Sequence, residues 1–123
     1  MNKIWVLDDD LSILEVIKIV LEDEGYKVLA MSDGKNFNKK LKKELPDLIL
    51  LDIWMPGMDG NEIVKRLKKQ ESTKNINVVI ISALTDARKI AKEAGADNFL
   101  RKPFEICELL NVVKRYTNKN IFE

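Results

Sequence analysis

The amino-acid sequence predicts a doubly wound α/β fold, in which helices cover both faces of a five-stranded parallel sheet. Five short apolar runs alternate along the chain with five amphipathic segments. Apolar runs without polar interruption are typical of strands buried on both faces. Strict alternation with helices favours right-handed crossovers between parallel strands. The apolar runs are Ile4–Leu7, Val28–Met31, Leu48–Leu51, Val78–Ile81 and Phe99–Leu100.

The segments between these runs carry apolar residues three and four positions apart, which predicts amphipathic helices. At the start of the first helix, Asp10 is favoured as the N-cap, and Ser12 with Glu15 could supply a capping box. Gly25 and Gly95 fall where the first and fourth helices would end, a position that favours glycine. The helical windows are 11–24, 35–45, 60–70, 86–94 and 105–117.

Length and composition predict one domain spanning residues 1–123, with 46% hydrophobic residues to form a core. Charges nearly balance, with 21 basic and 20 acidic residues. This balance argues against direct nucleic-acid binding through bulk charge. No apolar run is long enough to span a membrane. Cys107 is the single cysteine, which is consistent with a reducing, cytoplasmic location.

The chain contains no histidine. This excludes Ser-His and Cys-His nucleophile pairs, histidine-ligated zinc, and a phosphohistidine relay within the chain. Any acid, base or metal chemistry must therefore use carboxylates, lysines and hydroxyls.

Polar side chains end four of the five predicted strands. Asp8, Asp9 and Asp10 follow the first strand and Asp52 follows the third, while Ser82 ends the fourth and Lys102 follows the fifth. In open α/β sheets, ligands bind beyond these carboxyl ends, at the switch point in strand order. Each residue alone has an ordinary alternative, such as a loop-capping aspartate or a surface lysine.

Together these side chains are less ambiguous. Neighbouring strands lie about 4.8 Å apart, so adjacent first and third strands would crowd Asp8, Asp9 and Asp52 into one crevice. Carboxylates this close raise each other's pKa or recruit a cation, and Mg²⁺ suits carboxylates, water and phosphate oxygens. With Lys102 and Ser82 added, the set favours phosphoryl transfer, with Asp52 attacking phosphorus.

The chain resembles the receiver domain of two-component response regulators, a phosphoacceptor switch. The resemblance implies a flavodoxin-like sandwich with strand order 2-1-3-4-5, phosphorylated by a sensor histidine kinase or phosphotransfer protein, and no turnover of external substrates. Four segments at nearly the family spacing carry it: Val6–Asp10, Leu50–Gly60, Ile80–Ala83 and Ala94–Phe104.

The resemblance also implies roles at the metal site. Asp52 matches the phosphoacceptor and is a metal ligand as well. Asp9 matches the direct Mg²⁺ ligand, and Asp8 matches the acid that holds the metal through water. Trp54 would contribute its backbone carbonyl.

The remaining matched residues belong to the switch. Ser82 matches the hydroxyl that moves toward the phosphoryl group, and Phe99 matches the aromatic residue that turns inward with it. Lys102 matches the family's invariant lysine, and the resemblance implies a cis peptide between Lys102 and Pro103.

One feature departs from the family. Only 12 residues separate Ser82 from Gly95, so the fourth helix is expected to be shortened. The usual output face is therefore in question, and a monomer or weak dimer is expected. The chain ends at Glu123 without a DNA-binding module, so the output is either an unknown partner or a domain outside this chain.

Two other functions compete with a receiver. A small Mg²⁺-dependent phosphatase could use an aspartyl nucleophile, but such enzymes place a second acid two residues later, where this chain has Trp54. A pseudo-receiver that only scaffolds would normally have lost the acid pair or the lysine.

Overall fold

A computed structural model describes residues 2–55 and 57–117 and confirms the predicted parallel sheet. The sheet has five parallel strands, each extending at most one residue beyond its predicted run at either end. Their order is β2-β1-β3-β4-β5, which is the order implied by the resemblance. The strands are β1 Lys3–Leu7, β2 Lys27–Met31, β3 Leu48–Asp52, β4 Asn77–Ser82 and β5 Asn98–Arg101.

Five helices cover the two faces of the sheet. Helices α1 and α5 pack on one face and α2, α3 and α4 on the other, giving two separate hydrophobic clusters. All five residues of β3 are buried, as expected for a central strand covered on both sides. The helices are α1 Leu11–Asp23, α2 Phe37–Lys43, α3 Gly60–Lys69, α4 Ala87–Ala94 and α5 Ile106–Thr117.

Asp10 is the N-cap of α1, as favoured, and its carboxylate accepts hydrogen bonds from the Ser12 and Ile13 N–H groups. The alternative capping box is wrong, because Ser12 already lies inside the helix. Gly95 ends α4 with φ 92° and Gly25 follows α1 with φ 95°, a region that glycine enters without steric cost.

A short antiparallel hairpin follows β3 and was not predicted. Trp54–Met55 pairs with Met58–Asp59, and α3 begins directly afterwards. The Gly60 N–H donates to the carbonyl of Ile53 at 3.1 Å. This bond returns the chain to the end of β3.

The register between β4 and β5 is set at the amino-terminal ends of these strands, opposite the candidate site's end of the sheet. The Val78 N–H donates to the Asp97 carboxylate at 2.7 Å, and the Asp97 N–H donates to the Val78 carbonyl at 2.8 Å. Lys68 of α3 donates to the same carboxylate at 2.8 Å and to the Ile76 carbonyl at 2.8 Å. These contacts tie α3 to the starts of β4 and β5.

Helix α4 has eight residues, which confirms that it is short. Its fully buried side chains are the alanines at 87, 91 and 94, so little apolar area anchors it. The Asp86 side chain at its start makes no capping hydrogen bond within the described chain. Across residues 2–55 and 57–117, none of the helices has the length and apolar character needed to cross a membrane.

Candidate functional site

The candidate site lies at the carboxyl end of the sheet, between β1 and β3. Leu7 and Leu51 are paired in the two strands, so the acids that follow them, Asp8 and Asp52, emerge side by side. The strand order reverses at β1, and ligands of open α/β sheets bind at such a switch point. The fold therefore brings together the acids that the sequence singled out.

Lys102 reaches this crevice from the end of β5. Its ammonium nitrogen is 2.8 Å from Asp8 Oδ2 and 3.3 Å from Asp52 Oδ2. The Lys102 backbone N–H donates to the Ser82 carbonyl at 2.9 Å, which continues the ladder with β4. The peptide between Lys102 and Pro103 is cis, as expected.

Asp8 is the most buried acid of the site, with 0% of the residue exposed. Its Oδ1 accepts the Asp10 N–H at 2.9 Å. Its Oδ2 pairs electrostatically with Lys102, yet it has no hydrogen bond of good geometry among the described residues. This buried oxygen can therefore accept a hydrogen bond from a group in the crevice.

Asp8, Asp9 and Asp52 form a carboxylate cluster. One oxygen from each lies within 4.8 Å of the others. Asp9 is exposed, whereas the other two are buried. Oxygen donors at this spacing are the ligand type that hard divalent cations bind.

The electrostatics of the crevice are set by burial and by the charges of Asp8, Asp52 and Lys102. Burial raises the pKa of the Asp52 carboxyl and the nearby Asp8 carboxylate adds to the rise, while the Trp54 N–H and the Lys102 ammonium oppose it. The Trp54 N–H donates to Asp52 Oδ1 at 3.2 Å. Burial alone would lower the pKa of Lys102, but the two carboxylates outweigh burial and raise it.

Ser82 ends β4, and 2% of the residue is exposed. Its Oγ accepts the Leu84 N–H at 3.0 Å, so the hydroxyl hydrogen remains available to a ligand. Phe99 pairs in register with Ile80 on β4. Its half-buried ring packs with the α2–α4 cluster.

Two features near the site were not predicted from the sequence. The Arg88 guanidinium lies over the Phe99 ring, with 5.2 Å between its central carbon and the ring centroid. A cavity of about 400 Å³ lies beside Lys102, lined mainly by apolar residues of α1 and of the chain after β5. Contacts between side chains of separate elements leave no periodic signal in the sequence.

The apolar surface around this cavity continues onto exposed side chains. Val16 and Ile106 line the cavity and are 48% and 51% exposed. Leu11, at the start of α1, is 68% exposed, and Trp54 on the hairpin is 65% exposed. The exposed apolar side chains that line the cavity, Val16 and Ile106, mark it as an interaction surface.

Known proteins share this sequence pattern. A family model described as the response regulator receiver domain matches residues 4–114. Sporulation initiation phosphotransferase F of Bacillus subtilis is 40% identical over 117 residues, which make up 94% of this chain and 93% of that protein. The alkaline phosphatase synthesis transcriptional regulatory protein PhoP of B. subtilis is 38% identical over 113 residues, covering 92% of this chain but 47% of that protein. The chain thus spans about half the length of that regulator.

A solved structure shares the fold. The signal receiver domain of a signal transduction histidine kinase from Syntrophus aciditrophicus superposes with a TM-score of 0.88 and 31% identity, covering 100% of this chain and 95% of that one. The family match covers most of the chain, and the sheet order and the strand-end acids agree with it. The chain belongs to the response regulator receiver domain family of two-component systems.

Proposed function

We propose that this chain accepts a phosphoryl group on Asp52 in a Mg²⁺-dependent reaction and switches conformation to control an output partner. The observation that carries the proposal is the position of Lys102, whose ammonium lies between the buried carboxylates of Asp8 and Asp52. A lysine placed there can offset negative charge on a phosphoryl group as it is transferred.

Asp52 is the proposed nucleophile. One carboxylate oxygen forms a bond to phosphorus while the bond from phosphorus to the donor breaks, and the donor's leaving group keeps that electron pair. The Trp54 N–H holds Oδ1, which leaves Oδ2, the oxygen nearest Lys102, as the attacking atom. The reaction consumes the phosphodonor without turnover of an external substrate.

The carboxylate cluster fits a magnesium ion. Asp9 and Asp52 offer direct oxygen ligands, and Asp8 Oδ2 is a buried acceptor without a hydrogen bond of good geometry among the described residues. We assign Asp8 to a metal-bound water and the Trp54 carbonyl to the ion, in line with the family pattern. When bound, Mg²⁺ supplies positive charge that neutralises the acids and the incoming phosphate.

Ser82 and Phe99 are the proposed switch. The Ser82 hydroxyl can donate to a phosphoryl oxygen on Asp52 while its own oxygen keeps the Leu84 N–H. Movement of this hydroxyl opens space along β4, into which the Phe99 ring can turn. The altered surface of α4 and β5 would then be read by the output partner.

The proposed phosphodonor is a sensor histidine kinase or a phosphotransfer protein in the cytoplasm. Because this chain has no histidine, the donor must bring its own phosphorylated side chain to Asp52. The exposed Leu11, Val16 and Ile106, with the cavity beside Lys102, offer an apolar surface next to the site. A helix of the donor docked there would bring its phosphohistidine to the crevice.

Intact-mass spectrometry tests the phosphorylation. The chain is incubated with acetyl phosphate and Mg²⁺, with a parallel sample in EDTA and with Asp52→Asn as the matched variant. The expected result is one phosphate adduct in the wild type with Mg²⁺ and none in the other two samples. An adduct of equal yield on Asp52→Asn would overturn the assignment, and steady hydrolysis of p-nitrophenyl phosphate would favour a phosphatase instead.

A further inference from the structure

Arg88, in the first turn of α4, lies with its guanidinium over the ring of Phe99 on β5. Its guanidinium carbon is 5.2 Å from the ring centroid, within the range of a cation–π interaction. Arg88 and Phe99 also line a surface cavity of about 340 Å³ between α4 and β5. The ring therefore lies on the outer side of the sheet, held there by an arginine that is itself exposed.

The first turn of α4 has few other attachments. Asp86 gives it no side-chain cap within the described chain, and the N–H of Ala87 makes a long bond of 3.3 Å to the Leu84 carbonyl. The Ala87 side chain is buried but small. The Arg88–Phe99 contact therefore adds to the packing of Ala87 and the partly buried Ile90 in linking this turn to the sheet.

Phe99 has a short path toward the site. Its register partner is Ile80, and Ser82 lies two residues further along the same strand. Side chains two residues apart lie on the same face of the sheet, about 7 Å along the strand. A ring that turns toward Ser82 must leave the Arg88 guanidinium.

We propose that Arg88 is a latch on Phe99: the contact holds the ring outward and the first turn of α4 in place, and so opposes the switch. The inference rests on the proposed function, because it requires Phe99 to turn inward as the Ser82 hydroxyl moves. Loss of a surface cation–π contact changes an equilibrium about two- to fivefold. Removing Arg88 therefore raises the fraction of molecules with the ring inward by that factor.

Phosphorylation by acetyl phosphate reports this fraction, since the inward conformation is the one in which the Ser82 hydroxyl meets the phosphoryl group. Arg88→Gln is expected to react about two- to fivefold faster than the wild type, with Arg88→Lys in between. Lys89→Gln is the matched control, because Lys89 is exposed on the same helix and carries the same charge. Loss of charge alone would slow the reaction with an anionic donor.

A double-mutant cycle then isolates the contact with the ring. In a Phe99→Leu background, Arg88→Gln should change the rate only as much as Lys89→Gln does, and amide exchange in the first turn of α4 should no longer respond to it. Absence of any adduct in the wild type defeats the proposed function itself. If the wild type is phosphorylated but Arg88→Gln matches Lys89→Gln, the latch is wrong. A rate increase that persists without the aromatic ring would equally overturn it.

Discussion

Gly60 sits where the chain returns to the end of β3, and an added methyl group there would meet backbone. A Cβ at this position would lie 2.8 Å from Ile53 Cα, 3.0 Å from the Ile53 carbonyl oxygen and 3.2 Å from the Asp52 carbonyl oxygen. Backbone atoms cannot rotate aside as the end of a side chain can. Gly60→Ala must therefore push the segment that directly follows Asp52.

The expected loss of stability is the balance of two effects. Alanine in place of glycine favours a helix by up to about 1 kcal/mol, whereas forcing an extra methyl group into a packed site costs about 1–3 kcal/mol. Because Gly60 is the first residue of α3, only part of that helix preference applies, and the net loss for Gly60→Ala is about 1–2 kcal/mol in urea unfolding. Gly25→Ala is the matched control: its φ is 95°, and apart from its chain neighbours no atom of the described residues lies within 4 Å of the added Cβ. Left-handed backbone strain alone costs about 1–2 kcal/mol there.

The two variants should thus lose similar stability but differ in function. A displacement of a few tenths of an ångström at a reacting group is expected to slow phosphorylation by acetyl phosphate about three- to tenfold, in Gly60→Ala only. The rates are measured by mass spectrometry at saturating Mg²⁺, under conditions where both variants are folded. Equal rates in the two variants, or wild-type stability of Gly60→Ala, would refute the reasoning.

Two further predictions follow from the site. Because the pKa of Asp52 is raised in the folded chain, ionisation of its carboxyl opposes folding. The protonated carboxyl stabilises the fold fully below its unfolded pKa. This stabilisation is lost as pH rises through the folded pKa. Without divalent metal, Asp52→Asn should therefore be more stable than the wild type at pH 7 in urea unfolding, with an advantage that shrinks toward pH 4; lower stability at pH 7 would contradict this. The phosphoryl group proposed on Asp52 should also hydrolyse slowly. The family resemblance implies that the residues two after the phosphoacceptor and two after the switch hydroxyl flank the path of the attacking water. Here these are Trp54 and Leu84, whose side chains cannot accept a hydrogen bond from that water and orient it. Trp54→Asn with Leu84→Glu should shorten the lifetime of the phosphoryl group about tenfold if the missing group costs about 1.4 kcal/mol. An equal or slower decay in the double mutant would rule out this role of the two side chains.

Much of the fold was predictable because its signals are local. The uninterrupted apolar run Leu48–Leu51 predicted a strand buried on both faces, and all of β3 is buried. The acids at 8 and 52 could be placed together because parallel strands end at the same edge of a sheet. Asp10 as N-cap followed from the preference of short polar side chains for that position.

The features that were missed depend on contacts between elements. The hairpin after β3 has two residues in each strand, too few for a recognisable alternation of apolar and polar residues. The contact between Arg88 and Phe99 joins positions 11 residues apart, with no periodic spacing to reveal it. The apolar cavity beside Lys102 likewise depends on how α1 packs beside the chain after β5.

The Asp97–Val78 pairing has a consequence for how this chain tolerates changes in length. A one-residue slip between neighbouring strands would turn every side chain of β5 to the opposite face and carry Lys102 out of reach of Asp52. Asp97 and Lys68 set that register at the amino-terminal ends of β4 and β5, at the opposite end of the strands from Lys102 and Asp52. A change in the number of residues between Ser82 and α4 should therefore leave the lysine in place relative to the aspartate. The loop after β4 is thus uncoupled from the site, because the alignment of Lys102 with Asp52 does not depend on the length of that loop.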